Sequence, residues 1–271
     1  MLKQRIITAA ILLPVALIGF FLLEGLAFAL FIGVVVSLGA WEWARMAGCI
    51  GQPARVGYAL LVVVLLAVLY RLPALAPWLL AASVIWWIAA TTLVLNYPDS
   101  QRHWRGRAGS LVIGLLILLP AWQALLVLTQ WPQGNWLIVA VMVLVWVADI
   151  GAYFSGRRFG RRKLAPQVSP GKTIEGLLGG VLLTQVLAVA VMLYLGWSLP
   201  SILIGMFGTL VVVLFSVVGD LTESLFKREQ GLKDSSNLLP GHGGVMDRID
   251  SLTAAVPIFS LGWYLFGSLL G

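Results

Sequence analysis

The residues best suited to chemistry begin where a run of 44 uncharged residues (176–219) ends, at Gly219-Asp220-Leu221-Thr222-Glu223-Ser224-Leu225-Phe226-Lys227-Arg228. At helical spacing Asp220, Glu223, Ser224 and Lys227 return to one azimuth, because offsets of three, four and seven residues share a face. A solvated helix end with a Glu-to-Lys pair would account for Glu223. Asp220, a poor helix former directly after so long an apolar run, reads as a functional group. A second polar stretch runs from Lys233 through Pro240-Gly241-His242-Gly243-Gly244-Val245-Met246-Asp247-Arg248 to Asp250. Glycines around a histidine let the backbone approach a ligand, and their amides can cradle phosphate oxygens ahead of a helix N-terminus. The plainer alternative is a flexible connector with Asp247 as the negative charge of the next helix. Together, Asp220 and Asp247 offer the one or two carboxylates that a Mg²⁺ ion needs when substrate phosphates complete its shell. His242 has three readings, as an acid, as a phosphate donor or as a loop hydrogen-bonder, and a lone histidine favours the last.

These stretches are embedded in a chain of 271 residues that is 60% apolar and 11% charged, against roughly 45–50% and about 25% in a soluble domain. With a mean hydropathy of +0.97, neither a soluble fold nor intrinsic disorder fits, which leaves an all-α polytopic membrane protein. Stretches free of Asp, Glu, Lys and Arg, two of them long enough for two helices each and interrupted near Trp131-Pro132 and Gly196-Trp197, predict nine transmembrane helices. Their expected spans lie near 6–23, 26–45, 56–72, 77–96, 108–129, 136–155, 174–195, 200–226 and 249–270. The third is the shortest and is followed by Pro73 and Pro77. Nine crossings place 17 of the 18 Lys and Arg residues on the side of the N-terminus, with only Arg71 opposite, so the N-terminus is expected to be cytoplasmic. Lys3, Arg5, the apolar run and Ala27-Phe28-Ala29 resemble a secretory signal, but the run of 18 residues is too long for one, and a retained first helix is expected. The net charge of +7 fits anionic head groups or phosphates better than nucleic acid. Cys49 stands alone and offers neither a disulfide framework nor a Cys-based metal site.

Charge is concentrated. Residues 157–175 and 220–250 hold 17 of the 29 charged side chains, both on the expected cytoplasmic side. Residues 1–130 therefore read as membrane scaffold and 131–271 as the catalytic region, with cytoplasmic loops at 156–175 and 227–248. No internal repeat is evident.

From Ser224 to Asp250 the chain resembles the phosphatidate cytidylyltransferase (CDP-diacylglycerol synthase) signature across all 27 residues. The resemblance extends to Asp149-Ile150-Gly151-Ala152-Tyr153-Phe154, to Ser169-Pro170-Gly171-Lys172-Thr173-Ile174-Glu175-Gly176 and to the opening Leu2–Thr8. It implies a membrane enzyme, as a homodimer, that joins CTP to phosphatidic acid, releasing pyrophosphate and leaving CDP-diacylglycerol. Both substrates are polyanions, and Lys172, Lys227, Arg228, Lys233 and Arg248 are on the right side to neutralise them. The expected mechanism is in-line attack of the phosphatidate phosphate on the α-phosphorus of CTP. Asp220 and Asp247 are the expected ligands of Mg²⁺, with room for a second cation, and Ser224 and Lys227 are expected to position phosphate oxygens. His242, Gly243 and Gly244 complete the expected phosphate site. Arg157, Arg158, Arg161, Arg162 and Lys163 read as topology signals. A bacterial inner membrane, with the site facing the cytoplasm, is the expected location, and membrane lipids rather than nucleic acid are the expected surroundings. A lipid or nucleotide transporter would also use Asp149 and Asp220 but gives no reason for the Gly-His-Gly-Gly loop.

Overall fold

The structure, a computed structural model, describes the backbone of residues 2–104 and 106–269, and their side chains except at 2, 3, 5, 6, 9 and 103. Of the basic residues above, the Lys3 and Arg5 side chains and Arg105 thus lie outside the described part. Nine α-helices form among the described residues: α1 Leu2–Leu22, α2 Gly25–Met46, α3 Gln52–Arg71, α4 Ala76–Leu95, α5 Arg107–Thr129, α6 Gly134–Phe159, α7 Ile174–Tyr194, α8 Leu199–Glu229 and α9 Met246–Phe266. Each overlaps the span expected for it. Eight of them are long and apolar enough to cross a membrane, while the described part of α1 contributes a shorter apolar stretch, Ala10–Leu22. Rows of apolar side chains such as Leu30, Val34, Leu60, Val64, Leu182 and Val186 remain exposed, as lipid-facing helix surfaces require.

α3 starts four residues before its expected beginning, because Pro53 supplies the fixed φ that suits a first helical turn. Gln52 and Arg55 tie that turn to α2. Trp41 Nε1 donates to Gln52 Oε1 at 3.0 Å, and the Arg55 guanidinium stacks 3.5 Å above the Trp41 ring. α8 has 31 residues and so measures about 46 Å, against roughly 30 Å of bilayer hydrocarbon. The excess is roughly ten residues, the length of Asp220–Glu229, so a helix that starts at one interface delivers Asp220 to the other.

One segment departs from expectation. Residues 157–175, read as a loop, contain an antiparallel hairpin of β1 Lys163–Ala165 and β2 Ser169–Thr173, with Lys163 opposite Thr173 and Ala165 opposite Ser169. Gly160 ends α6, and Pro166 and Pro170 forbid helix beyond it. The extended chain pairs with itself, and the Thr173 hydroxyl then caps α7 by accepting the Gly176 N–H at 3.1 Å.

Close helix pairs position the polar ends. α8 runs along α9, where a Cβ on Gly219 would stand 2.6 Å from the Asp250 carbonyl oxygen. α6 runs along α7, where a Cβ on Gly151 would stand 2.9 Å from the Gly179 carbonyl oxygen. Phe226 of α8 is wedged between Trp43 of α2 and Trp104, with ring centroids 4.8 and 4.6 Å apart. The buried core is continuous across residue 130, joining Phe28, Trp43, Val62, Trp87 and Leu118 to Val145, Leu225, Met246 and Ala254.

Candidate functional site

The shared face at the end of α8 is present. Ser224 Oγ donates to Asp220 Oδ1 at 3.2 Å, and Lys227 Nζ donates to Glu223 Oε2 at 3.0 Å. Lys227 also donates to Asp247 Oδ1 at 2.7 Å and is 8% exposed. It therefore bridges α8 to the start of α9. The hairpin delivers the other lysine. Lys172 Nζ lies 2.8 Å from Asp220 Oδ2, and these two side chains are 26% and 28% exposed. Asp149 of α6 is within electrostatic reach of Lys172 and Asp220, and Asp250 of α9 adjoins Asp220 and Glu223. Five carboxylates, Asp149, Asp220, Glu223, Asp247 and Asp250, thus surround two lysines.

The glycine loop is fastened from two directions. Asp247 Oδ2 accepts the Ser235 N–H at 2.9 Å, the Ser235 hydroxyl at 2.8 Å and the Gly244 N–H at 2.7 Å. Glu42 of α2, fully buried, accepts the Ser236 hydroxyl at 2.5 Å and the Val245 N–H at 3.0 Å on Oε1. On Oε2 it accepts the Ser235 hydroxyl at 3.1 Å and the Met246 N–H at 2.7 Å. Arg45, one turn on, donates to the Ser235 carbonyl oxygen at 3.1 Å. Within the loop, His242 N–H donates to the Leu239 carbonyl at 2.9 Å and Leu239 N–H to the Gly243 carbonyl at 2.8 Å. Gly243 has φ +82°, and a Cβ there would stand 2.6 Å from Asp247 Oδ2, so this turn needs glycine.

Two bonded groups therefore stand side by side, Lys172–Asp220–Ser224 and Glu223–Lys227–Asp247–Gly244, with Gly243 packed against Asp247. Arg228 turns away from them, donating to the Val168 carbonyl at 3.4 Å and the Leu232 carbonyl at 3.2 Å, and Lys233 and Arg248 are exposed at the rim. Among the described residues, His242 Nδ1 is buried and makes no hydrogen bond. The Gly244 amide, expected to face a phosphate, is instead held by Asp247, because a carboxylate in the first turn of a helix folds back onto the N–H groups before it. Sequence reasoning did not find Glu42, Arg45, Ser235 and Ser236. Glu42 carried the same signal as Asp220, a carboxylate within an apolar span.

Among the described residues, no three His, Cys, Asp or Glu side chains converge into a ready metal cage. The donor set still suits Mg²⁺, a hard cation that takes one or two carboxylates and leaves the rest of its shell to phosphates and water. The cluster also has acceptor oxygens to spare, among them Glu223 Oε1, which is buried with no hydrogen-bond partner among the described residues.

Residues 3–266 match the sequence profile of the cytidylyltransferase family. The chain is 64% identical over 260 residues to a phosphatidate cytidylyltransferase of Pseudomonas aeruginosa, covering 96% of each. It is 42% identical over 290 residues to a phosphatidate cytidylyltransferase of Haemophilus influenzae, covering 97% of this chain and 99% of the other. A phosphatidate cytidylyltransferase of Staphylococcus aureus is 41% identical over 130 residues, about half of each chain.

Proposed function

This chain belongs to the cytidylyltransferase family, and we propose that it transfers CMP from CTP to phosphatidic acid, giving CDP-diacylglycerol and pyrophosphate for phospholipid synthesis. The observation that carries this reading is the pairing of Lys172 and Ser224 with Asp220 beside the pairing of Lys227 with Asp247, both at the end of a membrane helix. It is a charged cluster at the depth where a lipid phosphate and a soluble triphosphate can meet.

Asp220 would hold Mg²⁺, and Asp247, whose oxygens already accept from Lys227, Ser235 and Gly244, would join it by giving up the Lys227 contact; Asp149 and Asp250 are the nearby carboxylates for a second cation. Bound there, the ion would neutralise the charge that builds as pyrophosphate leaves. The remaining steps belong to the chain. Lys172, partly exposed and paired with Asp220, exchanges that carboxylate for a phosphate oxygen. Ser224 offers its hydroxyl to a second oxygen. Lys227 keeps Asp247 and Glu223 in place. His242 would donate to phosphate only once its buried Nδ1 is uncovered, and Lys233 and Arg248 draw the anion in from the rim. A phosphomonoester is already largely ionised near neutral pH, so the nucleophile needs no dedicated base.

The orientation we propose has the N-terminus, the hairpin and the 230–245 loop in the cytoplasm, on the strength of the basic-residue asymmetry, and a bacterial inner membrane as the setting. Cysteines placed in 99–107 and 157–172 should label from the cytoplasmic face and one at the C-terminus from the other; residues 270–271 lie outside the described part. The resemblance also supports a homodimer, which chemical cross-linking in native membranes checks.

The direct experiment incubates purified protein with CTP, phosphatidate and Mg²⁺ and follows pyrophosphate and CDP-lipid together. Both should appear in equal amounts and only when phosphatidate is present. Pyrophosphate without CDP-lipid, or neither product from folded protein, would overturn the reading.

A further inference from the structure

We infer that Glu42, on a helix that contributes nothing to the charge cluster itself, is the positioning residue that sets the catalytic loop. This inference rests on the cytidylyltransferase reading above. A carboxylate with no exposure is costly to bury unless its oxygens are saturated, and Glu42 is saturated entirely by one segment. It accepts from the Ser236 hydroxyl, from the Val245 and Met246 amides and from the Ser235 hydroxyl, whose one proton it shares with Asp247, and all four groups lie at the two ends of the 235–246 loop. Two of those donors are the amides of the N-cap residue, Val245, and of Met246, the first residue of α9, and Val245 has no side chain able to cap. Glu42 thus acts as a helix cap supplied by another helix, which fixes where α9 begins.

Asp247 is the second residue of α9. Any shift of the helix start moves its carboxylate, and with it Lys227. Ser235 makes the coupling explicit: its hydroxyl contacts both Glu42 Oε2 and Asp247 Oδ2, at 3.1 and 2.8 Å, and its carbonyl is held by Arg45. The fit is tight, since a Cβ on Gly244 would collide with Ser235 Oγ and Glu42 Oε1. No atom of Glu42 needs to touch a substrate for its removal to displace a residue that does.

Glu42→Gln tests this. The amide keeps the volume but replaces one acceptor oxygen with an NH₂ group facing donors, which breaks half of the anchor. In the full-length protein in detergent, kcat at saturating CTP and phosphatidate should fall by at least about tenfold while KM for CTP changes little, as expected of misplacement rather than lost binding. Hydrogen exchange at Val245 and Met246 should accelerate. Ser236→Ala removes one bond and should lower kcat by roughly threefold with unchanged thermal unfolding, and the double variant should be no worse than Glu42→Gln alone. A folded Glu42→Gln protein that turns over at the native rate overturns the inference, as does full additivity of the two substitutions. If Glu42→Gln does not fold, Ser236→Ala decides, and native kcat in that variant overturns the inference. Wild-type protein without cytidylyltransferase activity would defeat the functional reading instead, and the exchange rates at Val245 and Met246 would still report whether Glu42 holds the loop.

Discussion

The two polar segments beside the cluster are held in opposite ways. The 230–245 loop is fastened from inside, where Glu42 and Asp247 Oδ2 between them accept from six donor groups of Ser235, Ser236, Gly244, Val245 and Met246, the Ser235 hydroxyl being shared by the two carboxylates. The β1–β2 hairpin is fastened at its root by Glu175, which accepts the N–H groups of Arg161 and Arg162 at 3.0 and 3.1 Å and Arg162 Nε at 2.9 Å. Its Lys172 pairs with Asp220 while both remain partly exposed. Buried charges that are fully hydrogen-bonded resist rearrangement, because breaking one leaves its partner uncompensated. Partly exposed ion pairs exchange partners at little cost. The loop is therefore built to keep its geometry and the hairpin to give up a contact, a division suited to a site in which carboxylates stay put and a lysine moves onto an arriving phosphate.

The largest effect should come from the carboxylates. Asp220→Asn and Asp247→Asn should each reduce turnover by at least about a hundredfold, the scale of losing one preorganised charge-stabilising group. Added Mg²⁺ should restore little of it. If either variant keeps near-native kcat with an unchanged metal requirement, that carboxylate is structural, and Asp149 or Asp250 must be tried as the ligand.

The two lysines should then fail differently. Lys227→Ala leaves Glu223 and Asp247 buried without their cation, a loss of about 3–5 kcal/mol that lowers the midpoint of thermal unfolding in detergent. Lys172→Ala should leave that midpoint nearly unchanged and lower kcat/KM for CTP by about tenfold, since its cost falls on the phosphate contact. A Lys227→Ala protein that melts normally and loses only CTP affinity would erase the contrast between the segments.

Much of this was legible in the residues. Helix positions follow from apolar runs, because a membrane crossing needs an uninterrupted stretch of fixed length, and the face shared by Asp220, Ser224, Glu223 and Lys227 follows from helical periodicity. The tertiary partners were not legible. Nothing in the spacing says that Lys227 turns to Asp247 rather than to solvent, or that Glu42 reaches a loop nearly 200 residues away. The hairpin was missed because Lys163–Thr173 carries no alternating apolar pattern; its strands are set by the two prolines and by the docking of Lys172 on Asp220. The division at residue 130 describes where charge lies in the sequence, whereas Glu42 and Arg45 tie the first half directly to the loop of the second.

Glu175→Gln should act more weakly than either lysine change. It loosens the hairpin root while leaving the β1–β2 pairing in place, so KM for CTP should rise by about threefold, as befits an exposed contact.

The smallest effect is expected at Arg157, and it carries the sharpest control. Arg157 stands at the exposed end of α6, and its guanidinium donates to Tyr153 Oη at 3.3 Å. It lies in the same basic run as Arg161 and Arg162 and contributes to the same general field. If CTP were drawn mainly by that field, Arg157→Ala and Lys172→Ala would weaken CTP binding alike, and both effects would shrink together as salt is raised. If Lys172 acts through a contact fixed by the hairpin, Arg157→Ala should leave KM within about twofold of the native value at any ionic strength, while the Lys172→Ala deficit persists in high salt. Equal deficits that vanish together with added salt would mean that the hairpin presents charge without positioning it.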